Sequence, residues 1–244
     1  MSILAVIQAR MGSTRLPGKV LLPLGGVPMV LRVVERAARI AGVEDVIVAT
    51  STLKGDDALA ACVTNAGVSC FRGDQDDVLD RYYRCALERG ANVVVRITAD
   101  CPLLSPAVSS RVLTSYLSGG CDYASNCGAR TYPRGLDTEV MSFDALATAW
   151  REAVAKPDRE HVTAFLAMNP ERFRLRNVVD PGATDHSDMR WTVDEPADYE
   201  LVRRIYDAFD GRTDFEYRDV LALLGQHPDW SMINRDVHQK HYGE

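Results

Sequence analysis

Apolar and polar positions over the first hundred residues alternate between two periods. A continuous apolar run at 3–7 (Ile3-Leu4-Ala5-Val6-Ile7) has the length of a buried strand, and 28–41 then carries apolar residues at helical spacing. The alternation continues with a strand at 45–50, a helix at 56–65 ended by Gly67 and a short strand at 68–71. A helix at 76–89 stopping at Gly90 and a strand at 92–98 follow. This order predicts a mostly parallel sheet sandwiched by helices. The second half is less regular. Its pattern predicts helices at 106–116, 142–153, 158–168, 196–209 and 216–224, and strands at 122–124, 174–178 and 189–193. The stretch 126–136, rich in Gly, Pro and Arg, reads as a loop or hairpin arm. No repeat and no low-complexity segment interrupts the chain.

In an open parallel sheet, ligands gather at the carboxyl ends of the strands. Four stretches fall at such ends: 8–19, Thr50-Ser51, Arg72-Gly73-Asp74 and Ala99-Asp100. The first carries the clearest chemistry. Gly12 and Gly18 allow close backbone approach, Ser13 and Thr14 add hydroxyls, and Arg10, Arg15 and Lys19 add three cations. No acid precedes Glu35, so this end of the chain suits a polyanion such as a triphosphate. It is neither a Walker A loop, since Gly12 to Gly18 is one residue too long and Val20 replaces the hydroxyl, nor a GxGxxG fingerprint.

The 244 residues, 46% of them hydrophobic, are enough for one large α/β domain. A net charge of −6 argues against general nucleic-acid binding. The absence of a long apolar run and of signal-peptide features leads to the expectation of a soluble cytoplasmic protein. Six irregularly spaced cysteines without a CxxC pair are expected to be reduced thiols, and His227, His238 and His241 to belong to a solvated tail.

Two acids are candidates for a cation. Asp100 follows the strand and precedes Cys101-Pro102; on residues alone it serves either as a metal ligand or as a cap. Asp194 sits where a strand gives way to a helix with Pro196 in its first turn, so an N-cap is the competing role. In 132–139, Arg134 beside a turn, then Asp137, Thr138 and Glu139, offers contacts for a carboxylate or phosphate and for sugar hydroxyls.

The run Arg10-Met11-Gly12-Ser13-Thr14-Arg15-Leu16-Pro17-Gly18-Lys19 resembles the N-terminal motif of the acylneuraminate and Kdo cytidylyltransferases, which make CMP-activated acidic sugars. It is most similar to their SpsF-like branch, the spore coat polysaccharide biosynthesis proteins, as are 72–82 (RGxxxDVLxRY) and Glu160-His161-Val162-Thr163. The resemblance implies a GT-A-like nucleotidyltransferase fold and Mg²⁺-dependent transfer of CMP from CTP to an acidic sugar or related acceptor, with release of pyrophosphate, for a surface polysaccharide or glycan. Thr98-Ala99-Asp100-Cys101-Pro102 looks like the family's DxP metal motif and Val193-Asp194-Glu195-Pro196-Ala197-Asp198 like its VDxPxD stretch, which makes Asp100 and Asp194 the Mg²⁺ ligands and Asp198 a cap. Arg10 and Lys19, with Asp100, would carry the catalysis. The nucleotide would lie on Ala9, Arg10, Gly12, Ser13, Arg15 and Lys19, with Ser51, Arg72 and Thr98 near the base. The acceptor would meet Arg134, Asp137, Glu139 and His161, and an arm near 126–140 would form a homodimer. Thr98 stands where related enzymes carry a glutamine, which leaves GTP open beside CTP. A phosphorylated or phosphonate acceptor, or a catalytically silent nucleotide-binding subunit, are the alternatives.

Overall fold

Helices flank both faces of a seven-stranded sheet in a computed structural model that describes residues 1–182 and 184–239. The first half runs β1 (Ile3–Gln8), β2 (Pro23–Leu24), β3 (Val27–Pro28), α1 (Met29–Ala37), β4 (Asp45–Ser51), α2 (Asp57–Asn65), β5 (Ser69–Gly73), α3 (Val78–Glu88) and β6 (Val93–Thr98). The second half adds α4 (Pro106–Leu117), β7 (Tyr123–Ser125), β8 (Glu139–Ser142), α5 (Phe143–Glu152), α6 (Lys156–His161), α7 (Ala164–Ala167), β9 (Leu175–Asn177), α8 (Pro196–Ala208) and α9 (Tyr217–Gln226). The strand order is β5-β4-β1-β6-β8-β7-β9. Within this sheet every pairing is parallel except those of β8, which runs against both β6 and β7.

The central strands are apolar throughout because both of their faces are covered. Ile3, Ala5 and Ile7 of β1 join a core under α1, α2 and α4, while Leu4 and Val6 face a second core under α3, α5 and α7. A third core gathers α8, α9, Leu24 and Trp191. Ser105 and Ser142 cap α4 and α5 by accepting from Val108 N–H and Ala145 N–H. No helix among the described residues is long and apolar enough to cross a membrane.

The structure matches one expectation for the second half and corrects others. The stretch 126–136 is a loop, as expected: it belongs to the connection between the antiparallel neighbours β7 and β8 and folds back along the cleft described below. A separate hairpin lies at β2-β3, turned by Gly25 and Gly26 at φ 55° and 77°. The expected strand at 189–193 makes only one bridge, Arg134 to Arg190. Its apolar residues Trp191 and Val193 fill the third core instead of a sheet face. The expected helix at 158–168 is broken at Val162, where φ is 58° and ψ −59° and Thr163 N–H donates to His161 O at 2.6 Å. This is a γ-turn of the rarer, strained hand. Of the late histidines, His227 stacks on Trp230 and His238 is exposed, while His241 lies outside the described residues.

Candidate active site

Beyond the carboxyl ends of β1 and β6 the chain opens a cleft of about 1020 Å³. Parallel pairing runs one step past each strand, with Ala9 N–H on Ala49 O at 3.1 Å and Ala99 N–H on Gln8 O at 3.0 Å. Loop 9–19 is thereby fixed at its root. It is held again at Met11, whose N–H donates to Asp56 Oδ1 at 2.7 Å, and it closes on itself through Gly18 N–H to Met11 O at 3.2 Å. Gly18 needs its φ of 70°, whereas Gly12 is not left-handed and a Cβ there would meet nothing within 4 Å.

Lys19 opens a short 3-10 turn at the loop's end and is 8% exposed. Its ammonium donates to Asp100 Oδ2 at 3.1 Å, Asp194 Oδ1 at 2.8 Å and Val193 O at 2.7 Å. Asp100 and Asp194 come together because Val193 N–H and Thr192 Oγ1 both donate to Asp100 O, at 2.8 and 3.1 Å. Arg15 and Arg190 reach the other oxygen of Asp194 at 3.1 and 2.7 Å. Burial opposes the Lys19 charge, but the two carboxylates outweigh it and hold the group above its ordinary range. Burial likewise opposes the Asp194 charge, and Lys19, Arg15 and Arg190 together keep its carboxyl below the usual range. The N-cap of α8 is Glu195, in a capping box with Asp198, so Asp194 is not the cap.

Arg10 faces Glu160 of α6 across the mouth at 4.0 Å, with the two side chains 49% and 43% exposed. That leaves the Arg10 guanidinium open to an entering anion. On the cleft floor, Arg96 pairs with Glu139, which also accepts from Tyr123 and from Thr163 Oγ1 at 2.6 Å. Burial pushes the Glu139 carboxyl up, but Arg96 and the two hydroxyls outweigh it and hold it below its usual range. Arg130 pairs with Asp137 in two-pronged fashion. Arg134, whose backbone pairs with Met189 and Trp191, is held below its ordinary range by burial and by neighbouring Arg130.

Of the residues expected at the site, Ala9, Arg10, Gly12, Ser13, Arg15, Lys19, Thr98, Asp100, Arg134, Asp137, Glu139, His161 and Asp194 all line this cleft. Ser51 and Arg72 do not. The Ser51 hydroxyl and N–H both serve Asp56, and Arg72 is spent on Ser51 O, Leu53 O and Asp57. Arg81, in the helical part of the 72–82 stretch, is 2% exposed and lines the cleft. Arg96, Arg130 and Lys156 are further cations there that sequence reasoning passed over, although a charge inside the otherwise apolar run VVVRIT was the signal for Arg96. Among the described residues no cluster of three or more His, Cys, Asp or Glu forms a metal cage. Asp100 and Asp194 do present hard oxygen donors spaced to share one cation, the donor set with which a magnesium ion binds when phosphates and water complete its shell.

Residues 4–220 match the model of the cytidylyltransferase family. The chain belongs to that family. Over 244 residues it is 36% identical to an uncharacterized protein of Methanocaldococcus jannaschii, covering 100% of this chain and 99% of the relative. It is 32% identical to the spore coat polysaccharide biosynthesis protein SpsF of Bacillus subtilis, over 93% of this chain and 95% of that one. A cytidylyltransferase structure from Leptospira borgpetersenii superposes with a TM-score of 0.90 at 30% identity, covering 99% and 100% of the two chains. A CMP:2-keto-3-deoxy-manno-octonic acid synthetase complexed with CTP shares the fold, at TM-score 0.66, 23% identity and 85% and 99% coverage. This cytidylyltransferase has the mixed sheet and flanking helices of the GT-A-like nucleotidyltransferases, with the β2-β3 hairpin as a separate element.

Proposed function

We propose that this cytidylyltransferase moves CMP from CTP to a hydroxyl of an acidic sugar or closely related acceptor, releases pyrophosphate, and serves a surface polysaccharide or glycan. One observation carries the reading: two carboxylates from distant parts of the chain share a single ammonium at 3.1 and 2.8 Å, inside the cleft onto which the basic loop opens. The similarity to SpsF supports the polysaccharide context and the family supports CTP.

Loop 9–19 would cradle the triphosphate with backbone N–H groups, Arg10 and Ser13, while Asp56 keeps that loop against β4. Asp100 and Asp194 would hold Mg²⁺, whose charge offsets that of the phosphates and the departing pyrophosphate. The acceptor hydroxyl oxygen would attack the α-phosphorus while its proton passes to solvent, the bond to the pyrophosphate oxygen would break with its electron pair leaving on pyrophosphate, and no covalent link to the protein would form. Arg134 and Lys156, which line the cleft outside the basic loop, would receive the acceptor's negative group, with His161 beside it. A homodimer in the cytoplasm is part of the same reading.

The test is pyrophosphate release from each nucleoside triphosphate with Mg²⁺ and a panel of keto-acid sugars and sugar phosphates. Release that requires CTP, Mg²⁺ and an acceptor is expected, with Asp100→Ala lowering kcat by about a hundredfold or more while the fold is kept. Release from GTP alone would overturn the base assignment. Tight CTP binding without release from any acceptor would point to a silent binding subunit.

A further inference from the structure

An ammonium has three N–H donors, and all three of Lys19 are engaged: by Asp100, Asp194 and the carbonyl of Val193. The group therefore has nothing left to give a phosphate until it releases a carboxylate. It also stands at the point the two carboxylates share, where a divalent cation bound by both would have to sit. Loop closure fixes the lysine there, since Gly18 N–H is tied to Met11 O and the next residue is Lys19 itself. Arg15 and Arg190 also reach Asp194, each shared with a further acid, Glu195 and Asp198, so the protein's own cations already occupy both carboxylates. Arg10, at the mouth, is the loop cation left to make first contact with a triphosphate.

We infer that Lys19 is a resident counter-ion that competes with the divalent cation for Asp100 and Asp194, so that metal loads with the nucleotide and not before it. The inference rests on the proposed reading of these two acids as metal ligands. An arriving triphosphate gives the ammonium a new anionic partner; Lys19 turns to it, and both carboxylates are vacated together. Coupling of this kind is reciprocal: whatever the nucleotide adds to metal affinity, the metal adds to nucleotide affinity.

The experiment is a titration of the nucleotide-free protein with Mn²⁺ alone, followed by the loss of the free-ion electron paramagnetic resonance signal, in wild type and in Lys19→Met. The thioether side chain keeps the length of lysine without its charge. Lys19→Met is expected to bind Mn²⁺ about tenfold or more tightly than wild type. Lys19→Gln, which still offers a donor to the carboxylates and guards against misfolding of the first variant, should move in the same direction. Equal or weaker Mn²⁺ binding in the folded variants overturns the inference. A second arm isolates the reading beneath it: calorimetry of CTP binding by wild type and Asp100→Asn, with and without Mn²⁺. Mn²⁺ strengthening CTP binding only when Asp100 is present keeps the two acids as ligands even if the Lys19 result fails. Indifference to Asp100 removes both.

Discussion

Glu139 was legible as a polar residue near an acceptor, but not as half of a buried pair. Its partner Arg96 lies on β6, opposite it in the antiparallel ladder, and only the pairing of β6 with β8 brings the two together. The same holds for Lys19, whose charge suggested a phosphate while its contacts turned out to be carboxylates from segments far along the chain. Side-chain partners separated by whole elements leave no local trace in composition or spacing. For Glu139 the consequence is measurable. Glu139→Gln strands the Arg96 charge and is expected to cost about 3–5 kcal/mol in urea unfolding at neutral pH. Because the folded carboxyl titrates below its ordinary value, its contribution is complete above about pH 4.3 and is lost as pH falls through the folded value. Wild-type stability should accordingly fall more steeply than that of Glu139→Gln between pH 5 and 3, and parallel slopes would refute the pair's role.

Long periodic segments were legible. Apart from the β2-β3 hairpin, which the pattern did not show, the strands and helices of the first hundred residues occur where the pattern puts them, to within two or three residues at most ends, because each buries one face or both against a continuous core. Failures fall where apolar residues serve a core without belonging to a regular element, as at 189–193, or where the backbone departs from its preferred region, as at Val162. A turn at Val162 cannot be read from Glu160-His161-Val162-Thr163, since nothing in those letters favours positive φ. What it achieves is geometric: two positions apart on a helix lie about 200° around the axis, whereas here His161 and Thr163 both line the cleft and Val162, between them, is buried in the second core. The strain gives an inverted ranking. At ordinary helix positions alanine is favoured over glycine; at 162 the glycine variant should be more stable than the alanine variant by about 1 kcal/mol, measured by chemical unfolding. An alanine advantage would show that the turn relaxes.

Two irregular segments of the second half meet at the cleft wall, and Gly135 marks the place. With φ at 105°, a Cβ there would lie 2.6 Å from Thr192 N and from the carbonyl carbon of Trp191. Segment 126–138 thus rests directly on the backbone that delivers Asp194. Gly135→Ala should lower the melting temperature and pyrophosphate release together, the backbone strain alone costing about 1–3 kcal/mol. Unchanged melting and turnover would show that the contact yields. The fold class and much of the cleft's lining were readable because most strand ends and charged motifs coincide, Ser51 and Arg72 being the exceptions, but this contact was not, since it depends on two irregular segments packing together. The reversed direction of β8 has a consequence of its own. Around its parallel neighbours, the cleft is reached by what comes after a strand; at β8 it is reached by what comes before. Away from the Gly135 contact, a connection that leads into β8 can gain or lose residues and redraw one wall while every ladder stays in register and the basic loop 9–19 is untouched. On the proposed reading, one architecture would in this way be refitted to a different acceptor by rewriting a single connection.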